Sequence, residues 1–65
     1  MIKINGKETE VPAGITVEQM LLANGFSLQR IAVERNDEIL PKADYGAETV
    51  QDGDVFEVVN FVGGG

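Results

Sequence analysis

An α+β domain is what this sequence predicts, with a mixed sheet of four to five strands and one main helix packed on one face. Three observations carry that expectation. Asn5-Gly6 lies between two short alternating segments, a capped amphipathic segment begins at Thr16, and the remainder is a series of β-favouring runs parted by turn residues. A single helix among several strands covers one sheet face and leaves the other to solvent.

Met1 to Asn5 alternates, with Ile2 and Ile4 on one side and Lys3 on the other. Asn-Gly is a strong two-residue hairpin signal because both turn positions need positive φ. Lys7 to Val11 then returns the chain, placing Lys3 across from Glu8 and Ile2 across from Thr9, so opposite charges pair on the solvent side. Pro12-Ala13-Gly14 breaks the strand. In Ile15-Thr16-Val17-Glu18-Gln19-Met20, Thr16 is the expected N-cap and Gln19 its reciprocal partner, with Ile15 and Met20 spaced as a hydrophobic staple. Val17, Met20 and Leu21 form the apolar stripe of a helix of about two and a half turns. Asn24-Gly25-Phe26 supplies a left-handed stop closed by an apolar residue. So short a helix is stable only when laid on a sheet.

Ile31 to Glu34 reads as a strand, and Asn36-Asp37 separates it from Ile39-Leu40-Pro41, where proline confines the piece to an edge. Lys42 to Val50 is polar and irregular, with Tyr45 as a loop anchor. Gln51-Asp52-Gly53-Asp54 marks a tight turn into Val55 to Val62, the longest strand candidate. The expected core is Ile2, Ile4, Val11, Val17, Leu21, Ile31, Val33, Ile39, Val50, Phe56 and Val58. Hairpin, crossing helix and further strands in this order make the β-grasp arrangement, with residues 1–62 as one domain and 63–65 as a flexible glycine tail.

The composition excludes more than it assigns. The 65 residues contain no cysteine and no histidine, which removes thiol chemistry, disulfides and the commonest general base. Catalysis by this chain is not expected, nor is a bound metal. Eleven acidic residues against five basic ones give a formal charge of −6, which disfavours nucleic acid and anionic membranes. No apolar run approaches the ~20 residues of a membrane span and no signal peptide is evident, so a cytoplasmic protein is expected.

The candidate working group is at the end. Gly63, Gly64 and Gly65 carry no side chain to obstruct a narrow cleft, and extended they reach roughly 10 Å past the last strand residue. Such a tail suits threading into another protein's active site, with the carboxylate of Gly65 as the reacting group. On the last strand, if Phe56 and Val58 face the core, then Val59 and Phe61 face outward as an apolar partner surface beside the tail. A bulge near Val59 would instead turn one of them inward.

The hairpin with Asn5-Gly6, Pro12-Ala13-Gly14-Ile15-Thr16-Val17 before the helix, Ile31-Ala32-Val33 leading to Glu38-Ile39-Leu40-Pro41-Lys42, Gln51-Asp52-Gly53-Asp54 and the terminal glycines together resemble the ThiS family of sulfur carriers in thiamine biosynthesis, a ubiquitin-like β-grasp family. The resemblance covers the whole chain. Leu40-Pro41-Lys42 departs mildly from the Val-Pro-Arg often found there. The resemblance implies that an adenylating enzyme of the ubiquitin-activating type, using ATP and magnesium, activates the Gly65 carboxylate. The adenylate becomes a thiocarboxylate with sulfur from a donor protein, and a thiazole synthase receives the sulfur. No cofactor is then bound by the carrier itself. Alternatives are a carrier for another pathway, of the molybdopterin-synthase small-subunit type, a ubiquitin-like protein modifier, or a non-covalent β-grasp binding module.

Overall fold

The computed structural model describes residues 1–61. Strand β1 (Ile2–Ile4) turns at Asn5-Gly6 into β2 (Lys7–Thr9), and helix α1 (Val17–Ala23) crosses to β3 (Ile31–Arg35). After β4 (Glu38–Leu40) come a 3₁₀ turn at Lys42–Asp44 and the last strand, β5 (Val55–Asn60). The sheet has five strands in the order β2-β1-β5-β3-β4. β5 lies at its centre, parallel to β1 and antiparallel to β3. This is a β-grasp fold.

Local sequence explains each hairpin. Asn5 and Gly6 have φ of 52° and 81°, and Asn36 and Asp37 have φ of 52° and 68°, the left-handed pair that a two-residue turn requires. The first hairpin has the register read from the sequence, Ile2↔Thr9 and Lys3↔Glu8. Both turn asparagines also use their side chains. The Asn5 amide accepts from Val58 N–H at 2.7 Å and donates to Val58 C=O at 3.2 Å, which prolongs the β1–β5 pairing past the end of β1. On the other side of β5, Asn36 Oδ1 accepts from Val55 N–H at 3.0 Å while its own N–H donates to Val55 C=O at 2.8 Å.

Helix α1 closes its hydrogen-bond account at both ends. Thr16 Oγ1 accepts from Gln19 N–H at 3.1 Å, and Gln19 Oε1 accepts from Thr16 N–H at 3.0 Å, the expected capping box. The two remaining first-turn donors reach the long loop, Val17 N–H to Glu48 C=O and Glu18 N–H to Tyr45 C=O, both at 2.9 Å. The segment that reads as irregular is thereby fastened to the helix start, and Tyr45 is buried in the core, where burial pushes its phenol pKa up. At the other end, Phe26 N–H donates to Leu21 C=O and Gly25 N–H to Leu22 C=O, a Schellman stop with Gly25 at φ 84°.

Ile2, Ile4, Val17, Met20, Leu21, Ile31, Val33, Tyr45, Val50, Phe56 and Val58 make up the core. Two expectations need correction. Ile39, expected inside, is 78 % exposed, because the register pairs it with solvent-facing Glu34 and gives the inward position opposite Val33 to Leu40. Val11 is only partly buried at the margin of the cluster.

Asp54 is the one buried acidic residue among those described. Its Oδ2 accepts from Arg35 Nε and from Gln51 N–H, both at 2.9 Å, and lies 2.7 Å from Arg35 Nη2 as an ion pair, and its Oδ1 accepts from Asn36 Nδ2 at 3.0 Å. Arg35 also donates to Glu48 Oε1 and to Thr49 C=O. Burial pushes the Asp54 carboxyl up, but the bonds from Gln51, Asn36 and Arg35 outweigh it and hold the group below its ordinary value.

Candidate functional site

Alternation along β5 decides what lies beside its C-terminal end. Phe56 and Val58 point to the helix and are buried, whereas Val55, Glu57 and Val59 face the open side. The β3–β5 ladder runs without interruption from Arg35↔Phe56 to Ile31↔Asn60, so no bulge turns Val59 inward. Pairing continues one step further, because Phe61 N–H donates to Arg30 C=O at 2.7 Å. Val59 and Phe61 are 58 % and 52 % exposed. Both sequence-predicted surface residues therefore lie in the open where β5 ends, at the root of the terminal segment.

Register adds residues that the linear sequence does not reveal. Ala32 lies directly across from Val59, and Ile39, opposite Glu34, stands diagonal to Ala32 on the same face. An apolar area of Val59, Phe61, Ala32 and Ile39 results, bordered by Glu34 and Glu57, which oppose one another across β3 and β5. Isolated exposed apolar side chains are ordinary, but several side by side on a sheet face of so small a domain make this the candidate contact surface. The signal for Ile39 was present in the Asn36-Asp37 turn, since a two-residue turn after Arg35 fixes which β4 residue faces outward.

Arg30 is the remaining feature of this end. It is exposed, immediately precedes β3 and has φ of 60°. Gly63, Gly64 and Gly65, expected as the threading tail and reacting end, lie outside the described residues, as does the expected division of the chain into a domain and a tail after residue 62. Among the described residues no group of three or more His, Cys, Asp or Glu is placed to hold a metal ion. None of the helices there is long and apolar enough to cross a membrane.

A small β-grasp domain with one helix across a five-stranded mixed sheet, and an exposed apolar sheet face at the end of its central strand, is of the ubiquitin-like class. Within that class the comparisons are specific. The ThiS family model matches residues 2–65. The sulfur carrier protein ThiS of Bacillus subtilis is 36 % identical over 66 residues, spanning 100 % of both chains. The crystal structure of the thiamine biosynthesis protein ThiS from Geobacter metallireducens superposes with a TM-score of 0.81 at 34 % identity, covering 98 % of this chain and 97 % of that one. A thiazole synthase of Paramagnetospirillum magneticum is 48 % identical over 62 residues, 95 % of this chain but only 19 % of that protein. The chain thus spans about a fifth of that relative's length. The chain belongs to the ThiS family.

Proposed function

We propose that this chain is a sulfur carrier of thiamine biosynthesis and that the carboxylate of Gly65 carries the sulfur. The observation that bears most weight is the family match over residues 2–65, which includes the terminal glycines. A carboxylate is a poor electrophile, so exchange of its oxygen needs a leaving group. An adenylating partner with ATP and magnesium meets that need. A carboxylate oxygen attacks the α-phosphorus of ATP and pyrophosphate departs; hydrosulfide released from the donor then attacks the acyl carbon, AMP leaves, and loss of the S–H proton gives the thiocarboxylate. The carrier's part is to present the carboxylate from the end of a strand paired as far as Phe61 and on residues too small to obstruct the cleft. It is a co-substrate and not the catalyst.

A thiazole synthase is the proposed recipient, supported by the occurrence of a sequence like this one within a protein of that name. Val59 and Phe61, with Ala32 and Ile39, form the proposed docking surface for the partners. With the cognate adenylating enzyme, ATP and magnesium, the wild-type protein should drive ATP–pyrophosphate exchange. One residue added after Gly65 should stop it, because the carboxylate moves about 3.3–3.6 Å while near-attack geometry tolerates errors of only about 1 Å. Removing Gly64 and Gly65 should also abolish exchange, with unfolding stability changed by no more than ~0.5 kcal/mol. Undiminished exchange by the extended chain would overturn the assignment of Gly65.

A further inference from the structure

Four described residues other than glycine have positive φ: Asn5, Asn36, Asp37 and Arg30. The first three are the residue types that tolerate this region, and all three form hairpin turns. Arg30 is the exception. An L-residue with a long side chain is disfavoured there by roughly 1–2 kcal/mol, whereas glycine populates the region freely. Its backbone role is to accept Phe61 N–H, a bond that glycine or asparagine at this position would make equally well. Backbone geometry therefore gives no reason for an arginine, and the side chain must supply one.

Its location supplies the chemistry. Arg30 is paired with the last described residue of the chain, at the base of the segment that leads to Gly65, and it is exposed. The protein as a whole carries −6, so a partner surface complementary to the rest of it is basic. A cation at the tail's root has the opposite sign and meets an acidic group, which fixes the orientation in which the tail enters and penalises a reversed approach. We propose that Arg30 is a docking residue whose guanidinium takes up a carboxylate at the mouth of the cleft through which the adenylating partner admits the tail. This rests on the carrier reading above. Arg30 acts on positioning and not on the reacting atoms.

The test is ATP–pyrophosphate exchange measured against carrier concentration, at low and high salt, for wild type, Arg30→Gly, Arg30→Lys and Arg30→Glu. Arg30→Gly relieves the backbone strain, so its thermal transition should be at or above that of wild type. Its KM for the carrier should rise about fivefold, the equivalent of one exposed ion pair, with kcat within about twofold. The salt dependence of KM should weaken in Arg30→Gly, Arg30→Lys should recover most of the affinity, and Arg30→Glu should be worse than Arg30→Gly. An Arg30→Gly KM equal to wild type at low salt, or an Arg30→Glu KM equal to that of Arg30→Gly, would overturn the inference while leaving the carrier reading intact. Absence of exchange with the wild-type protein would remove both.

Discussion

Asn5 and Asn36 act on the central strand through side-chain bonds that stand in for missing backbone partners, and Asp54, just ahead of that strand, organises the residues around its start. Two are turn residues whose amides take over where β1 and β3 end, and the third gathers Arg35, Asn36 and Gln51 around one buried carboxylate. Removal of that carboxylate leaves the Arg35 guanidinium, only 15 % exposed, without its main counter-charge. Breaking one partner of such a pair costs about 3–5 kcal/mol, most of the ~5 kcal/mol or less that a core of this size supplies. Asp54→Ala should accordingly be largely unfolded at neutral pH, as urea titration followed by circular dichroism would record. The pH dependence has a definite sign. Because the folded pKa of Asp54 lies below its ordinary 3.8, the contribution is fully present above that value and is lost as pH falls through the lower folded one. Wild-type stability should hold at pH 5–7 and decline on acidification below about pH 4, where the unfolded chain begins to bind the proton first.

At the scale of elements, the sequence was most legible where local chemistry is self-contained. The Asn5-Gly6 hairpin with its register, the Thr16–Gln19 capping box and the Asn24-Gly25-Phe26 stop are each settled within a few residues, and each appears as read. Facing was less legible where it depends on strand pairing or on a distant partner. Ile39 and Leu40 are both apolar, and only the pairing of β4 with β3 decides that Leu40 turns to the core and Ile39 to solvent. The Asp54 cluster was hidden for the same reason, since a turn motif gives no hint that Arg35 will arrive from 19 positions away. Substitution of the two neighbours by threonine makes the contrast measurable. Ile39→Thr should alter stability by no more than ~0.5 kcal/mol, whereas Leu40→Thr should cost more than 1 kcal/mol through lost packing and a poorly placed hydroxyl. Equal losses would mean that the β3–β4 register is shifted.

The whole molecule is a sheet with one face closed by α1 and one left open, and the open face is contiguous with the end of β5. Sequence alternation alone identified Val59 and Phe61 but allowed a bulge; the uninterrupted β3–β5 ladder removes that alternative. Phe61→Asp should therefore fold normally, with a thermal transition within about 2–4 °C of wild type for a change below ~0.5 kcal/mol. Its affinity for the proposed adenylating partner or thiazole synthase should fall by at least tenfold, as a charge set into an apolar contact loses about 1.4 kcal/mol or more. Calorimetric titration of each partner would report it, and unchanged affinity for both would move the docking surface elsewhere.

The central position of β5 also governs the order in which the molecule can assemble. The β1–β2 hairpin and the β3–β4 hairpin meet only through it, and its parallel bonding to β1 joins residues more than fifty positions apart, from Lys3 to Val55. Closing so long a loop is the slow step expected for a chain of this length. Until β5 is in place the two hairpins have no shared sheet. Amide hydrogen exchange should expose this arrangement as a gradient along one strand. The N–H groups of Val55 and Val58 should open only with global unfolding, while that of Phe61, held by a single bond to Arg30, should exchange by local fraying. Within six residues the chain would pass from its most protected segment to a fraying strand end.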